Sequence, residues 1–451
     1  MNSRSMDLVH GPVVSGIIRY TIPIVLSSAL QLLFNAADLM VVGRFCGSLS
    51  VGAISSTGAM TNLVINLFVG LSVGAGVCVA HGVGSRRDRE VHQTVHTAIP
   101  LAFLCGLFLT VFGILVTDPM LKIMGTPEDV LPLSEVYMKI YFGGVAFTLL
   151  YNFGSAILRA AGDTKSSLIY LSVAGVLNII LNLVFVLVFH MNVAGVGLAT
   201  VISQVLSALL VLRELMRRTD ACRFEFRKSH IYWEPLRKMA TIGLPAGVQG
   251  CLFSISNMVI QSSVNSFGSV MVAGCGAAAN IEGFIWTTMN GVSQSAVNYV
   301  GQNLGAQQFD RIRKVFRSCL GIVVVIGLVL GVSSYLFAPQ LLSIYITDSP
   351  AAIAAGQNRM LWICFPYFVC GIMDTITGAL RGLGKSLLPM LVSILGVCVL
   401  RIVWVSTIFQ AIHTPSCLFA SYLVSWIVTE VIQYILFKTS LKKLEAQASR
   451  A

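Results

Sequence analysis

Asp38 stands in a stretch fit for hydrocarbon: from Tyr20 to Val42 it is the one acidic residue, and no basic one accompanies it. A carboxylate inside a membrane is costly, and such residues mark ion or substrate pathways. Asn35 lies one turn earlier on the same helix face, and in another apolar run Asn178 and Asn182 share a face at four-residue spacing. At about 1.5 Å per helical residue, Asp38 lies roughly 9 Å inside Arg44 and Asn182 roughly 12 Å inside His190. These depths predict one polar belt near a single membrane surface. Two chemistries fit the belt. The carboxylate and amide oxygens bind a cation or a proton, or the same groups close helix interfaces by hydrogen bonds, as asparagine often does in membranes.

The second half of the chain carries Glu282, Asp374, Arg401 and Glu430 in apolar runs. Counted from Ser269 and His413, Glu282 and Arg401 lie at equal depth, roughly 18–20 Å from the outer side. Equal depth predicts an ion pair, either purely structural or part of a gate or substrate site. Asp374 is seven residues from Arg381, so a solvated place nearer the cytoplasm is expected. Aromatics such as Phe284, Trp286, Trp362, Phe365 and Tyr367 read mostly as lipid-facing or packed, a minority being able to stack on a cation.

The elements that position these residues are membrane spans. The chain has 451 residues, 56% hydrophobic and 11% charged, where soluble domains carry about 25% charged residues. Twelve apolar runs, from 17–43 to 415–438, are long enough to cross a bilayer as helices. No secretory leader is read at the N-terminus, where the first run is expected to be a retained span. Of the 30 basic residues all but Arg44, Lys122, Lys139, Arg359 and Arg401 fall in loops on one side or at the termini, Arg4 included. By the positive-inside rule that side, with both termini, is cytoplasmic. The net charge of +11 is therefore a topology signal, and no nucleic-acid partner is expected. The 11 cysteines are scattered without a metal-binding or disulfide pattern.

The chain also repeats itself. "GLSVGAGVCVAHGVGSRRDRE" (70–90) matches "GVSQSAVNYVGQNLGAQQFDR" (291–311) at an offset of 221, and "LRAAGDTKS" (158–166) meets "LRGLGKS" (380–386) at 222. "TIP" (21–23) and "GLP" (243–245) keep the same spacing. Six spans separate the copies, so the repeats are parallel, an arrangement of alternating-access transporters. The fold class predicted is an all-α integral membrane protein, with twelve transmembrane helices in two six-helix bundles around a central cleft. The bundles are 1–215 and 240–440, joined by a solvated cytoplasmic linker at 216–239 and followed by a cytoplasmic tail at 441–451.

Over nearly its whole length the sequence resembles the MATE (multidrug and toxic compound extrusion) family. The motifs are "IP" (22–23), "DLMVVGRFCGSLSVGA" (38–53), "VAHGVGSRRD" (79–88), "LRAAGDTK" (158–165), "LNIILNLVFV" (177–186), "VGQNLGAQQFDR" (300–311) and "LRGLGKS" (380–386). The resemblance implies export of small organic, mostly cationic amphiphilic compounds, driven by Na+ or H+ entry, by a monomer in the plasma membrane with no cofactor beyond the coupling ion. It also implies a cation site at Asp38, Asn178, Asn182 and Thr200, with Asn152 nearby on the fourth span and Asp38 and Asn178 as Na+ ligands. Asn35, Asn152, Glu282, Asp374 and Arg401 are the candidates for the substrate cleft. Many relatives carry "NxxxD" on the fifth span where this chain has Asn178 and Asn182. A second carboxylate is missing, so Na+ and H+ both stay open. An enzyme is not expected, because no P-loop, metal cluster or nucleophile–base motif is found. The rival reading is a lipid or lipid-linked oligosaccharide flippase of the same superfamily, which calls for a cationic cavity; Arg401 is the one clear basic residue read within a span.

Overall fold

The computed structural model describes residues 5–123, 126–346 and 349–450. Arg4 of the charge count and Ala451 of the tail lie outside the described residues. The described residues are nearly all helical. The helices are α1 (Val13–Phe45), α2 (Ser48–Gly84), α3 (Asp88–Ile123), α4 (Leu131–Ala160), α5 (Thr164–Leu183), α6 (Asn192–Arg217), α7 (Trp233–Asn265), α8 (Ser269–Gly305) and α9 (Phe309–Leu336). There follow α10 (Ala338–Ser343), α11 (Pro350–Trp362), α12 (Tyr367–Gly382), α13 (Leu387–Ser393), α14 (Leu400–Ser406), α15 (Ile408–Ala411) and α16 (Pro415–Ala448). Among the described residues eleven helical stretches, Leu387–Ala411 (α13 to α15) counted as one, are long and apolar enough to cross a membrane, or twelve if α11 and α12, bent by 47°, form one span.

Local chemistry sets the boundaries. Asp163 caps α5 by accepting from the Ser166 amide at 3.0 Å, and Thr414 and Ser349 cap α16 and α11 just ahead of Pro415 and Pro350. The repeat is written in the backbone too. Gly47 and Gly268 turn at φ 89° and 88°, Gly162 and Gly384 at 89° and 75°, and Arg86 and Gln307 at 54° and 55°. Each pair keeps the sequence offset. The left-handed turn before α5 needs glycine, because a Cβ on Gly162 would strike the Met6 backbone.

The chain forms two compact units, and their limits differ from the expected ones. One is Met1–Asp7 with Leu26–Gly247, the other Leu8–Val25 with Val248–Ala451. Each internal boundary falls two residues after a proline inside a helix, Pro23 in α1 and Pro245 in α7. A proline removes a helix hydrogen bond and loosens the helix there. Small residues then fix the partners. In the first unit Gly70 and Gly74 of α2 leave no room beside Gly243, Gly247 and Met239. In the second, Gly291 of α8 faces Val25, and Thr21 shares a 2.7 Å hydrogen bond with Ser295.

Two further expectations are corrected. The segment 216–239 is not simply a solvated linker: Arg218, Cys222 and Phe224 are buried in the first unit, and the amides of Glu225 and Tyr232 donate to His96 and Thr97 of α3 at 3.0 and 3.1 Å. The tail from 441 is not a separate element, since α16 continues to Ala448. Within the first unit α4 packs against α2, α3 and α6; within the second, α8 packs against α9, α11 and α12.

Candidate functional site

In the first unit α1, α5 and α6 bring the predicted polar residues into one layer. Gly175 of α5 makes the approach possible: the Phe34 ring of α1 occupies the space a Cβ there would need. The amide nitrogen Nδ2 of Asn182 donates to Asp38 Oδ1 and lies 3.3 Å from Asn178 Oδ1. Asn178 Nδ2 in turn reaches Thr200 Oγ1 at 3.5 Å, and the Thr200 hydroxyl donates to the Val196 carbonyl at 3.0 Å. Asn178 and Asn182 are buried, and Asp38 and Thr200 are half-buried.

The chain of donors leaves acceptors over. Asn182 uses its amide hydrogens on Asp38 and Asn178, so its Oδ1 is buried without a hydrogen-bond partner, and Gln204 Oε1 is in the same condition. A buried acceptor without a donor costs about 1–3 kcal/mol. Beside them is a cavity of about 50 Å³ lined by Gln31, Asn35, Asp38, Asn178, Thr200 and Gln204. It has room for a few water molecules. One carboxylate with spare amide oxygens is an all-oxygen donor set of the kind hard cations take. The same carboxylate also suffices to hold a proton.

An apolar layer closes one side. Val42, Val186 and Val196 cluster with Val41, and they stand four residues from Asp38, Asn182 and Thr200 respectively. The apolar layer is therefore one helical turn from the polar one on all three helices. Directly after Asn182 the fifth span widens into a π-helical turn, Val184–Val188. Such turns recur at functional sites because they re-aim side chains.

Comparison with known proteins gives this arrangement a family. The MatE family model matches residues 23–184 and again 245–406. The chain belongs to the MatE family. The two matches begin 222 residues apart (23 against 245), the spacing of the sequence repeat. The chain is 29% identical to the probable multidrug resistance protein YoeA of Bacillus subtilis (strain 168), over 84% of this chain and 83% of that protein. It is 28% identical to the probable multidrug resistance protein YpnP of the same organism, over 88% and 89%. Among solved structures, the outward-facing conformation of a multidrug resistance MATE family transporter superposes with a TM-score of 0.91 at 19% identity, covering 99% of this chain and 100% of that one. That likeness carries the fold.

Asp38, Asn178 and Asn182 fall in the first MatE copy, with Thr200 just beyond it. Asn35 lines the same cavity and is exposed. Asn152 is not among the lining residues; its amide donates to Thr148 of its own helix at 2.9 Å. Sequence reasoning passed over Gln31, Ser203, Gln204 and Ser207, which line the cavity too. A signal was available. Gln31, Asn35 and Asp38 are spaced i, i+4, i+7, and Thr200, Ser203, Gln204 and Ser207 repeat the pattern on α6, each a polar stripe on one helix face.

In the second MatE copy the expected Glu282–Arg401 pair does not form. Glu282 is paired with Arg359 at 2.9 Å. The cause is the course of α11 along α8: Gly274 lies against Ala352 and Gly356, so the two helices run side by side and Arg359 meets Glu282 further along. Arg401 instead donates to Ser425 at 3.0 Å and lies over the Tyr422 ring at 4.0 Å. Two arginines, not one, are therefore buried in apolar helices. Asp374 is half-buried, and its backbone carbonyl accepts from Ser293 at 2.7 Å. Glu430 is half-buried with Oε2 lacking a partner.

Proposed function

We propose that this chain is a secondary active exporter that expels small organic, mostly cationic amphiphilic compounds in exchange for Na+ or H+ by alternating access. In this reading it works as a monomer in the plasma membrane, with both termini cytoplasmic and no cofactor beyond the coupling ion. The observation that carries the proposal is the Asp38 layer, a lone carboxylate beside a small polar-lined cavity and two buried amide oxygens without donors. The names of the two Bacillus relatives support the same reading. Asp38 serves as a charge switch. A bound cation neutralises it and removes most of the cost of burying it, which favours a repacked state that releases the compound; a tenfold shift between states needs about 1.4 kcal/mol of differential affinity. Asn178, Asn182 and Thr200 orient the carboxylate and complete its oxygen shell.

The flippase reading gains no support. It calls for free cations in a central cavity, whereas the buried arginines Arg359 and Arg401 are engaged by Glu282, Ser425 and Tyr422. The decisive experiment is uptake of a fluorescent cationic compound by proteoliposomes carrying an imposed Na+ or pH gradient, without ATP. Uptake should follow one of the two gradients and identify the ion; indifference to both would refute the exchange. Topology is checked by maleimide labelling of Lys228→Cys in a cysteine-free background, which should react only after permeabilisation.

A further inference from the structure

At one end of the second unit, between the first turns of α9 and the last turns of α16, lies a groove of about 390 Å³. Its floor is apolar. Phe316 and Phe437 stack with ring centroids 3.9 Å apart, and Leu320 lies alongside. Its rim carries Arg313, Arg317, Lys438 and Lys442. Arg313 is taken by Asp310 at 2.8 Å and by Glu445. Arg317, Lys438 and Lys442 are exposed and form no ion pair among the described residues; the Lys438 ammonium rests over the Tyr434 ring at 4.6 Å. From Tyr434 the wall runs on into an apolar strip on the outside of α16, where Val431 and Ile435 are 52% and 58% exposed.

We infer that this groove binds an anionic glycerophospholipid, its phosphate held by Arg317, Lys438 and Lys442 and an acyl chain laid along Leu320, Phe316 and Tyr434. The occupant must be anionic, since three cations share the rim with the single carboxylate of Glu445, which Arg313 already engages. It must also carry hydrocarbon, because the floor is aromatic and aliphatic and continues into the apolar strip. A soluble phosphate satisfies the rim alone, and a zwitterionic choline lipid leaves the three cations in excess. Basic pockets at the cytoplasmic ends of spans suit anionic headgroups, each cation near the surface contributing about 1 kcal/mol, or about fivefold. The inference rests on the cytoplasmic placement of this end given under the proposed function, but not on export itself.

The test uses the full-length protein. Native mass spectrometry would follow retention of phosphatidylglycerol against phosphatidylcholine, and wild-type protein in vesicles containing photoactivatable phosphatidylglycerol would be cross-linked and mapped. Phosphatidylglycerol should be preferred, with cross-links on α9 and α16. The triple variant Arg317→Gln, Lys438→Gln, Lys442→Gln should lose the preference by on the order of a hundredfold. The variant Arg86→Gln, Arg87→Gln, Arg89→Gln removes as much charge from the first unit and should keep it. Equal loss in both variants, no loss in the first, cross-links elsewhere, or displacement by millimolar glycerol 3-phosphate would each overturn the inference. The cross-linking arm uses wild-type protein, so it decides the matter even if a variant fails to fold. No gradient is applied, so a failure here leaves the exchange reading standing.

Discussion

Asp38 and Glu282 are both carboxylates on apolar helices, one in each MatE copy, and they meet different partners. Asp38 accepts from the amide of Asn182, beside spare oxygens and a cavity, and among the described residues no cation pairs with it. Glu282 faces the guanidinium of Arg359 at 2.9 Å, and the two side chains are 16% and 8% exposed. A charge already neutralised in place cannot be switched by an incoming ion without first breaking its pair. A carboxylate held by neutral donors keeps that freedom. The same division holds within the first unit, where Arg218 is fully buried but tied to Asp220 and Ser5. Partnering, not depth or half of the chain, distinguishes Asp38 from Glu282 and Arg218.

Breaking the paired side should have the largest effect. Arg359→Met leaves Glu282 buried without its cation and should lower stability by about 3–5 kcal/mol, as seen in unfolding of the purified protein. Adding Glu282→Gln to it should restore most of the loss, because a neutral pair carries little desolvation cost. If Arg359→Met is as stable as wild type, the pair is not what makes that charge tolerable. On the unpaired side, Asp38→Asn should leave stability within about 1 kcal/mol of wild type. It should nevertheless reduce gradient-driven uptake by at least about a hundredfold, on the order of 3 kcal/mol. Normal uptake by this variant under both gradients would make Asp38 a structural hydrogen-bond partner and reverse the comparison.

A smaller effect sharpens the picture outside the spans. Burial alone would raise the Asp220 carboxyl, but the hydrogen bonds and charge of Arg218 hold it below its ordinary value. A depressed folded-state value means stabilisation that is present above the unfolded value, near pH 4, and lost as pH falls below it. Because Asp220 is 39% exposed, solvent screening limits the contribution to at most about 1 kcal/mol. Asp220→Asn should therefore flatten the fall in stability of the wild-type protein between roughly pH 5 and 3. The smallest effect is expected at Asn152, whose amide serves its own helix. Asn152→Ala should change uptake less than about twofold, well under 1 kcal/mol.

Much of the site was legible because helical periodicity fixes which residues share a face. Asn178 with Asn182 and Asn35 with Asp38 could be paired from spacing alone. Gln31 and Gln204 were equally legible by that rule, being neutral amides like the three asparagines. Arg359 was passed over as well. It stands in the last turn of α11, and although Pro366 marks the break before α12, its partner is set by how Gly274 receives Ala352 and Gly356.

By itself the sequence determined the helical class, the near-dozen spans, the repeat with its offset and the lone carboxylate of the first apolar run. All of these follow from local quantities: hydropathy, charge, period and identity at a fixed distance along the chain. Only the tertiary structure decided which neutral groups surround Asp38, that an apolar layer lies one turn away, that Glu282 meets Arg359 and not Arg401, and that α1 and α7 change units just after Pro23 and Pro245. Equal depth along two helices says nothing about their rotation or their neighbours. Those are set by close contacts at small residues such as Gly70, Gly175 and Gly274, whose effect depends on what lies opposite them in space.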